Sequence, residues 1–277
     1  MLTAVLPITA NADSRNGAFK GRRAYVYFNE KTLTWKIGND AVERVLHFDR
    51  TRGALTTLRV EAKGGGPRLA LANTNEAEWT LEAPSESRLP TKARLEGDWV
   101  FNIQSVATPA HGGRLLTIHL HGVRRHEGLA AEVIYEVLPG NRPYLAKRVT
   151  LINRSGTPFT VKEVIYDRWM LPAQPGRFAA PATFTPVSGA MGALAFPTKN
   201  AGFQAGVLDE KGEAVFVNGA VTLRLREPAV VEPGGRAYTP LSLLTVFVND
   251  PARGAALVQR FSGERQAVAD SMLLSPR

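Results

Sequence analysis

The sequence contains no cysteine, which excludes a disulfide framework, a thiolate metal site and a cysteine nucleophile, and leaves the compartment open. No apolar run approaches the roughly eighteen residues that cross a bilayer as a helix, so no membrane span is expected. Dense lysine tracts, basic helices and aromatic–basic interleaving are also missing, although the formal net charge is +9. The arginines are scattered in short groups, at Arg22-Arg23, Arg124-Arg125, Arg224 and Arg226, which argues against nucleic-acid binding. A solvated basic surface, or attraction to an acidic polymer, accounts better for the charge. The run Gly64-Gly65-Gly66-Pro67 lacks the lysine and hydroxyl of a phosphate loop and precedes no helical pattern.

What the 277 residues do contain suits an all-β protein. They are 44% hydrophobic, and 25 glycines and 18 prolines are spread along the chain as turn residues between strands. The side-chain period returns repeatedly to two. Strands are expected at Ala24 to Phe28, Leu33 to Ile37, Val42 to Phe48, Leu55 to Val60, Trp79 to Leu81, Trp99 to Val106, Leu116 to His121, Val133 to Leu138 and Tyr144 to Ile152. A polar loop is expected between the fifth and sixth of these, at Ala83 to Pro90. One long strand from Phe159 to Trp169 then completes a three-stranded meander. The proline-rich stretch from Leu171 to Gly192 reads as a loop, and strands resume at Phe203 to Leu208, Ala214 to Val217, Val221 to Leu225 and Leu241 to Val248. Pro251 to Phe261 has a helical stripe, capped by Asp250 and ended by Gly263. The expected organisation is a flexible leader over 1–20, one large antiparallel β-sandwich over 21–263 and a C-terminal tail over 264–277. Within the leader, the mildly apolar stretch Met1 to Ala12 ends in Ala10-Asn11-Ala12, like the tail of a secretory signal without its basic start, which favours a periplasmic or extracellular location over the cytoplasm.

Two stretches carry a family resemblance. They are Leu33-Thr34-Trp35-Lys36-Ile37-Gly38-Asn39 with Val42 to Phe48, and Glu132 to Val137 running through Pro143-Tyr144-Leu145 and Leu151 to Gly156 to Val164-Ile165-Tyr166-Asp167. Their order resembles the N-terminal β-supersandwich domain of the alpha-galactosidase-type (family 36) glycoside hydrolases and, more distantly, galactose-mutarotase-like sandwiches. In those hydrolases the catalytic carboxylates belong to a separate barrel. The mutarotase-like enzymes place a histidine acid and a glutamate base on the sandwich itself. No local motif transfers either role to a particular residue, so the catalytic residues stay unassigned.

Two groups stand out as candidate ligand residues. His119 and His121 alternate on one strand, so both imidazoles face the same way. They suit an ordinary polar face, a sugar-binding groove, acid/base work or two legs of a metal site whose third ligand the sequence does not supply. Asp167, Arg168 and Trp169 end a long strand, with Asp167 and Trp169 expected on one face. A carboxylate beside an aromatic plate suits a pyranose; the alternative is a tryptophan packed in the core. Glu163 shares that face by spacing, but four extended residues put its Cα about 13 Å from that of Asp167, too far for a glycosidase pair. Glu132 and Glu136 fail by the same arithmetic. The Asn153-Arg154-Ser155 triplet matches a glycosylation acceptor but is already explained as a turn. These readings imply a carbohydrate-binding or accessory sandwich, acting on carbohydrate or polysaccharide, alone or with a catalytic partner chain. A sugar-active enzyme on the sheet and a structural or homo-oligomeric module are the alternatives. No cofactor and no metal are expected.

Overall fold

The computed structural model describes residues 24–63, 68–70, 80–82, 99–109, 112–123, 126–161, 163–170, 184–188, 191–196, 201–217, 220–226 and 229–248. Among these the regular structure is strand, and every strand pairing is antiparallel. A five-stranded sheet runs up and down in chain order: β1 (Tyr25–Asn29), β2 (Thr34–Gly38), β3 (Val42–Asp49), β4 (Ala54–Ala62) and β5 (Arg68–Ala70). A four-stranded sheet is ordered β16 (Gly212–Val217), β17 (Ala220–Leu225), β12 (Glu163–Met170) and β6 (Thr80–Glu82).

The largest sheet has nine strands. It opens with β13 (Phe184–Ser188), β14 (Met191–Phe196), β15 (Ala201–Val207) and β20 (Ser242–Val248). It continues through β10 (Tyr144–Asn153), β9 (Leu129–Val137), β8 (Arg114–Gly122) and β7 (Trp99–Ala107), with β19 (Arg236–Tyr238) also pairing β10. A small ribbon pairs β11 (Phe159–Val161) with β18 (Ala229–Val231).

Alternation sorts each strand between core and solvent. In β8, Leu116, Ile118 and Leu120 are buried, while Thr117, His119 and His121 stay half-exposed. One apolar cluster joins Trp35, Ile37, Leu46 and Phe48 of the five-stranded sheet to Val133, Tyr135, Val149 and Phe203 of the nine-stranded sheet. It extends to Val164, Tyr166 and Trp169 of β12 and to Val221 and Leu223 of β17. Facing sheets that share one core are the definition of a sandwich. Aromatic rings seal one end: Phe28 stacks on Trp35 with centroids 4.9 Å apart, and Phe101 of β7 meets Trp35 edge-on at 5.5 Å. Farther along, the buried Asn39 side chain donates to the carbonyls of Leu138 (2.9 Å) and Arg142 (2.7 Å), tying the β2–β3 turn to the β9–β10 hairpin.

Three expectations change. The segment from Phe159 to Trp169 is two strands rather than one. β11 leaves with β18, and β12 joins the four-stranded sheet, so the meander with β10 is instead β7-β8-β9-β10. Within 171–192, Phe184–Ser188 is a strand that forms a hairpin with Met191–Phe196. Pro186 obscured the pattern; among the described residues β13 is the last strand of its sheet, the position at which a strand proline is tolerated. The third change is a bulge in β12 between Ile165 and Asp167, which decides what the candidate residues face. The leader, the Gly64–Pro67 run, the loop at 83–90, the helix at 251–261 and the tail lie outside the described residues.

Candidate functional site

The bulge breaks strict alternation in β12, so Val164 and Tyr166 before it and Asp167 and Trp169 after it all turn into the core. Glu163 therefore does not share a face with Asp167. It meets Arg226 Nε at 3.2 Å and Arg224 Nε at 3.6 Å on the other side of the strand. Arg168 alternates outward from Asp167 and is half-buried.

Asp167 lies at the centre of an ionic cluster between the sheets. Its Oδ1 accepts from Arg44 Nη2 of β3 at 2.5 Å and from Lys147 Nζ of β10 at 3.2 Å. Arg44 also donates through Nε (3.0 Å) and Nη2 (2.9 Å) to Thr57 Oγ1 of β4, and Lys147 donates to the Tyr166 carbonyl. Ser242 of β20 donates to Asp167 Oδ2 at 3.4 Å. All three charged side chains are 2% exposed or less. The Arg44 guanidinium lies 5.5 Å from the Tyr135 ring centroid and 5.7 Å from that of Trp169. Trp169 is thus the packed tryptophan of the two alternatives, and Asp167 is the hub that holds three sheets in register.

The histidines have a different setting. His119 sits opposite Glu132 of β9 in the ladder, on the outer face of the nine-stranded sheet. His119 Nδ1 is 3.7 Å from Glu132 Oε1, and Glu132 Oε2 is 3.6 Å from Arg236 Nη1 of β19. Both separations are too long for hydrogen bonds; the Arg236 contact is ionic, and the His119 contact becomes so only when the imidazole is protonated. His119, Glu132 and Arg236 are 32%, 17% and 49% exposed. His121 is half-buried, one step along β8 opposite Ala130. Burial pushes the His119 imidazole below its ordinary pKa, and Glu132 opposes that shift without cancelling it. Beyond Arg236 on the same short strand, Tyr238 is 61% exposed. The Arg148 guanidinium of β10 lies 5.7 Å from its ring centroid.

The outer strip therefore combines an imidazole, a carboxylate, two guanidinium groups and an open aromatic ring. It offers donors, acceptors and a stacking plate together. The sequence singled out the histidines and weighed Glu132 only against Glu136. β19 passed unrecognised because three residues are too few to show a period. Among the described residues, no group of three histidine, aspartate or glutamate side chains converges as a metal site would require.

No family model matches the sequence, and no curated protein matches it in a sequence comparison. Solved structures do resemble the fold. The α-galactosidase from Lactobacillus brevis overlays with a TM-score of 0.56 at 12% identity, over 81% of this chain and 40% of that one. A family 36 α-galactosidase from Geobacillus stearothermophilus gives 0.53 at 12% identity, over 80% and 41%. An aldose 1-epimerase-type structure from Klebsiella pneumoniae overlays at 0.48 with 11% identity, over 87% and 86%, and the galactosidases carry the likeness. The chain spans about two-fifths of the length of the galactosidases it matches. What it shares with them is the antiparallel β-sandwich fold.

Proposed function

We propose that the chain is a carbohydrate-binding or accessory β-sandwich module whose ligand lies along the outer strip of β8, β9, β10 and β19. The observation that carries this reading is the exposed Tyr238 ring on the same outer face as Arg236, Glu132 and His119. A pyranose presents an apolar C–H face to an aromatic ring and hydroxyls to flanking charged groups, and this strip supplies both. The galactosidase-like fold makes galactosides the first ligands to try, and a related structure is described in complex with raffinose. His119 and His121 would bind hydroxyls here, whereas Asp167 and Trp169 support the sheet from within.

Calorimetric titration against galacto-oligosaccharides and soluble polysaccharides tests the reading. Tyr238→Ala and Glu132→Gln should each weaken binding about tenfold, equivalent to about 1.4 kcal/mol. Undiminished binding in both variants would remove the strip from consideration. A second reading is favoured by one distance, the 3.7 Å between His119 and Glu132, which suits an acid/base pair acting on a sugar. It requires turnover in a mutarotation or glycoside-hydrolysis assay, abolished by His119→Asn.

A further inference from the structure

The nine-stranded sheet ends at β7, and nothing among the described residues pairs with its outer edge. The other sheet edges among the described residues end differently. β5 and β6 are three residues long, β13 carries Pro186, and β16 carries Glu213. β1 is five residues, with the Lys63 ammonium folded over its Tyr25 ring at 4.4 Å from the centroid. Short length, proline and charge are the usual means by which a sheet edge is kept from pairing with another chain. β7 has none of these: its nine residues, Trp-Val-Phe-Asn-Ile-Gln-Ser-Val-Ala, include no charge and no proline. Its protection is a bulge between Phe101 and Ile103, and from Ile103 to Ala107 the ladder with β8 is unbroken. Three of its large apolar side chains face solvent: Val100 is 49% exposed, Ile103 59% and Val106 45%.

We propose that this edge pairs with the same edge of a second copy, forming a two-fold dimer through antiparallel β7 strands over Ile103–Ala107. A ladder edge unpaired among the described residues takes an extended strand as its partner. An uncharged strand meets no like-charge repulsion when it faces itself across a two-fold axis, so a second copy fits where a charged peptide gains nothing. The axis of an antiparallel pair stands normal to the sheet and keeps the same face upward in both copies. Ile103 pairs with His119 in the β7–β8 ladder, so the two His119–Glu132 strips end on one continuous surface. Three strand spacings separate β8 from its counterpart, about 14 Å. Resting on the carbohydrate reading above, this places two ligand strips where one extended polysaccharide reaches both.

The absence of cysteine makes the test direct. Light scattering on size-exclusion fractions, over a concentration series, should show a dimer for the native chain. Ile103→Lys and Val106→Lys, each at an exposed position, should give monomers with unchanged circular dichroism. Single-cysteine variants at Gln104, Ser105 and Val106 should cross-link on oxidation only at the residue nearest the axis, where facing Cα atoms approach to roughly 4.5–5.5 Å, within reach of a disulfide. A native chain that stays monomeric throughout, a dimer that survives both lysine variants, or a dimer that cross-links at none of the three positions overturns the proposal. The lysine variants also separate this proposal from the carbohydrate reading. A monomer should keep its affinity for a short oligosaccharide and lose only the gain on long polymers, whereas loss of both would implicate the strip itself.

Discussion

Adjacent residues of β10 serve two charged groups that face opposite ways. Lys147 points into the core with Arg44 and Asp167, and Arg148 points out toward Tyr238, beside the strip that holds Glu132 and His119. Both groups pair cations with a carboxylate, but on different terms. The inner three are almost completely removed from water and joined by hydrogen bonds of 2.5 to 3.2 Å. The outer contacts are 3.6 to 3.7 Å long and their members stay partly hydrated. A buried charge is tolerable only when its partners satisfy it fully, so the inner donors and acceptors are committed to the fold. The outer ones retain capacity for a ligand. Charge alone therefore does not mark a binding site.

The largest expected effect tests the inner half of that contrast. Asp167→Ala leaves two cations in the core without their shared carboxylate and should cost about 3–5 kcal/mol in urea denaturation. A loss under about 1 kcal/mol would mean the cluster is not a committed network. Replacing Arg44, Lys147 and Asp167 together with apolar residues of similar volume should restore most of that stability, which would assign the cost to the orphaned charges.

Next comes Tyr238→Ala, for which the tenfold loss in sugar affinity should appear with stability changed by no more than about 0.5 kcal/mol. Should the two fall together, Tyr238 would be a structural residue like Trp169. Glu132→Gln should alter thermal stability by less than about 1 kcal/mol, since its contacts with His119 and Arg236 are long and partly solvated. A loss comparable to that of Asp167→Ala would erase the distinction between the faces.

The smallest effect is a pH dependence. The folded His119 has its pKa below the ordinary 6.5, so on acidification the unfolded chain takes up the proton first. Its contribution is complete above that value and should fade as pH falls from 6.5 toward the lowered folded pKa. His119→Gln should flatten this part of the stability–pH curve, and a native curve already flat there would contradict the burial of the ring.

Much of the sandwich was legible in the sequence because strands with one buried face write their pattern every second residue. Leu116, Ile118 and Leu120 are an example, and the core-facing side of β8 followed directly. The assignment of Asp167 to a ligand site shows where that reading stops. Period two tells which residues share a face, but not which face is inside, and a one-residue bulge at Tyr166 leaves no compositional trace. A usable signal was present elsewhere. Arg44 occupies the apolar phase of Val42, Leu46 and Phe48, and Lys147 that of Leu145, Val149 and Leu151. Two cations in core register require a buried anion, and Asp167 supplies it. The outer strip was half legible: both histidines were found, whereas Arg236 and Tyr238 come from a strand of three residues placed beside β10 by long-range pairing.

The Asn39 clamp bears on how the protein comes into being on the ribosome. Its amide bonds carbonyls 99 and 103 residues farther along the chain. At usual synthesis rates of about 5–20 residues per second, the first sheet waits roughly 5–20 s for Arg142 to be made. During that interval β1 to β4 have emerged without the hairpin that locks their turn. The apolar face of that first sheet is then without its covering partners.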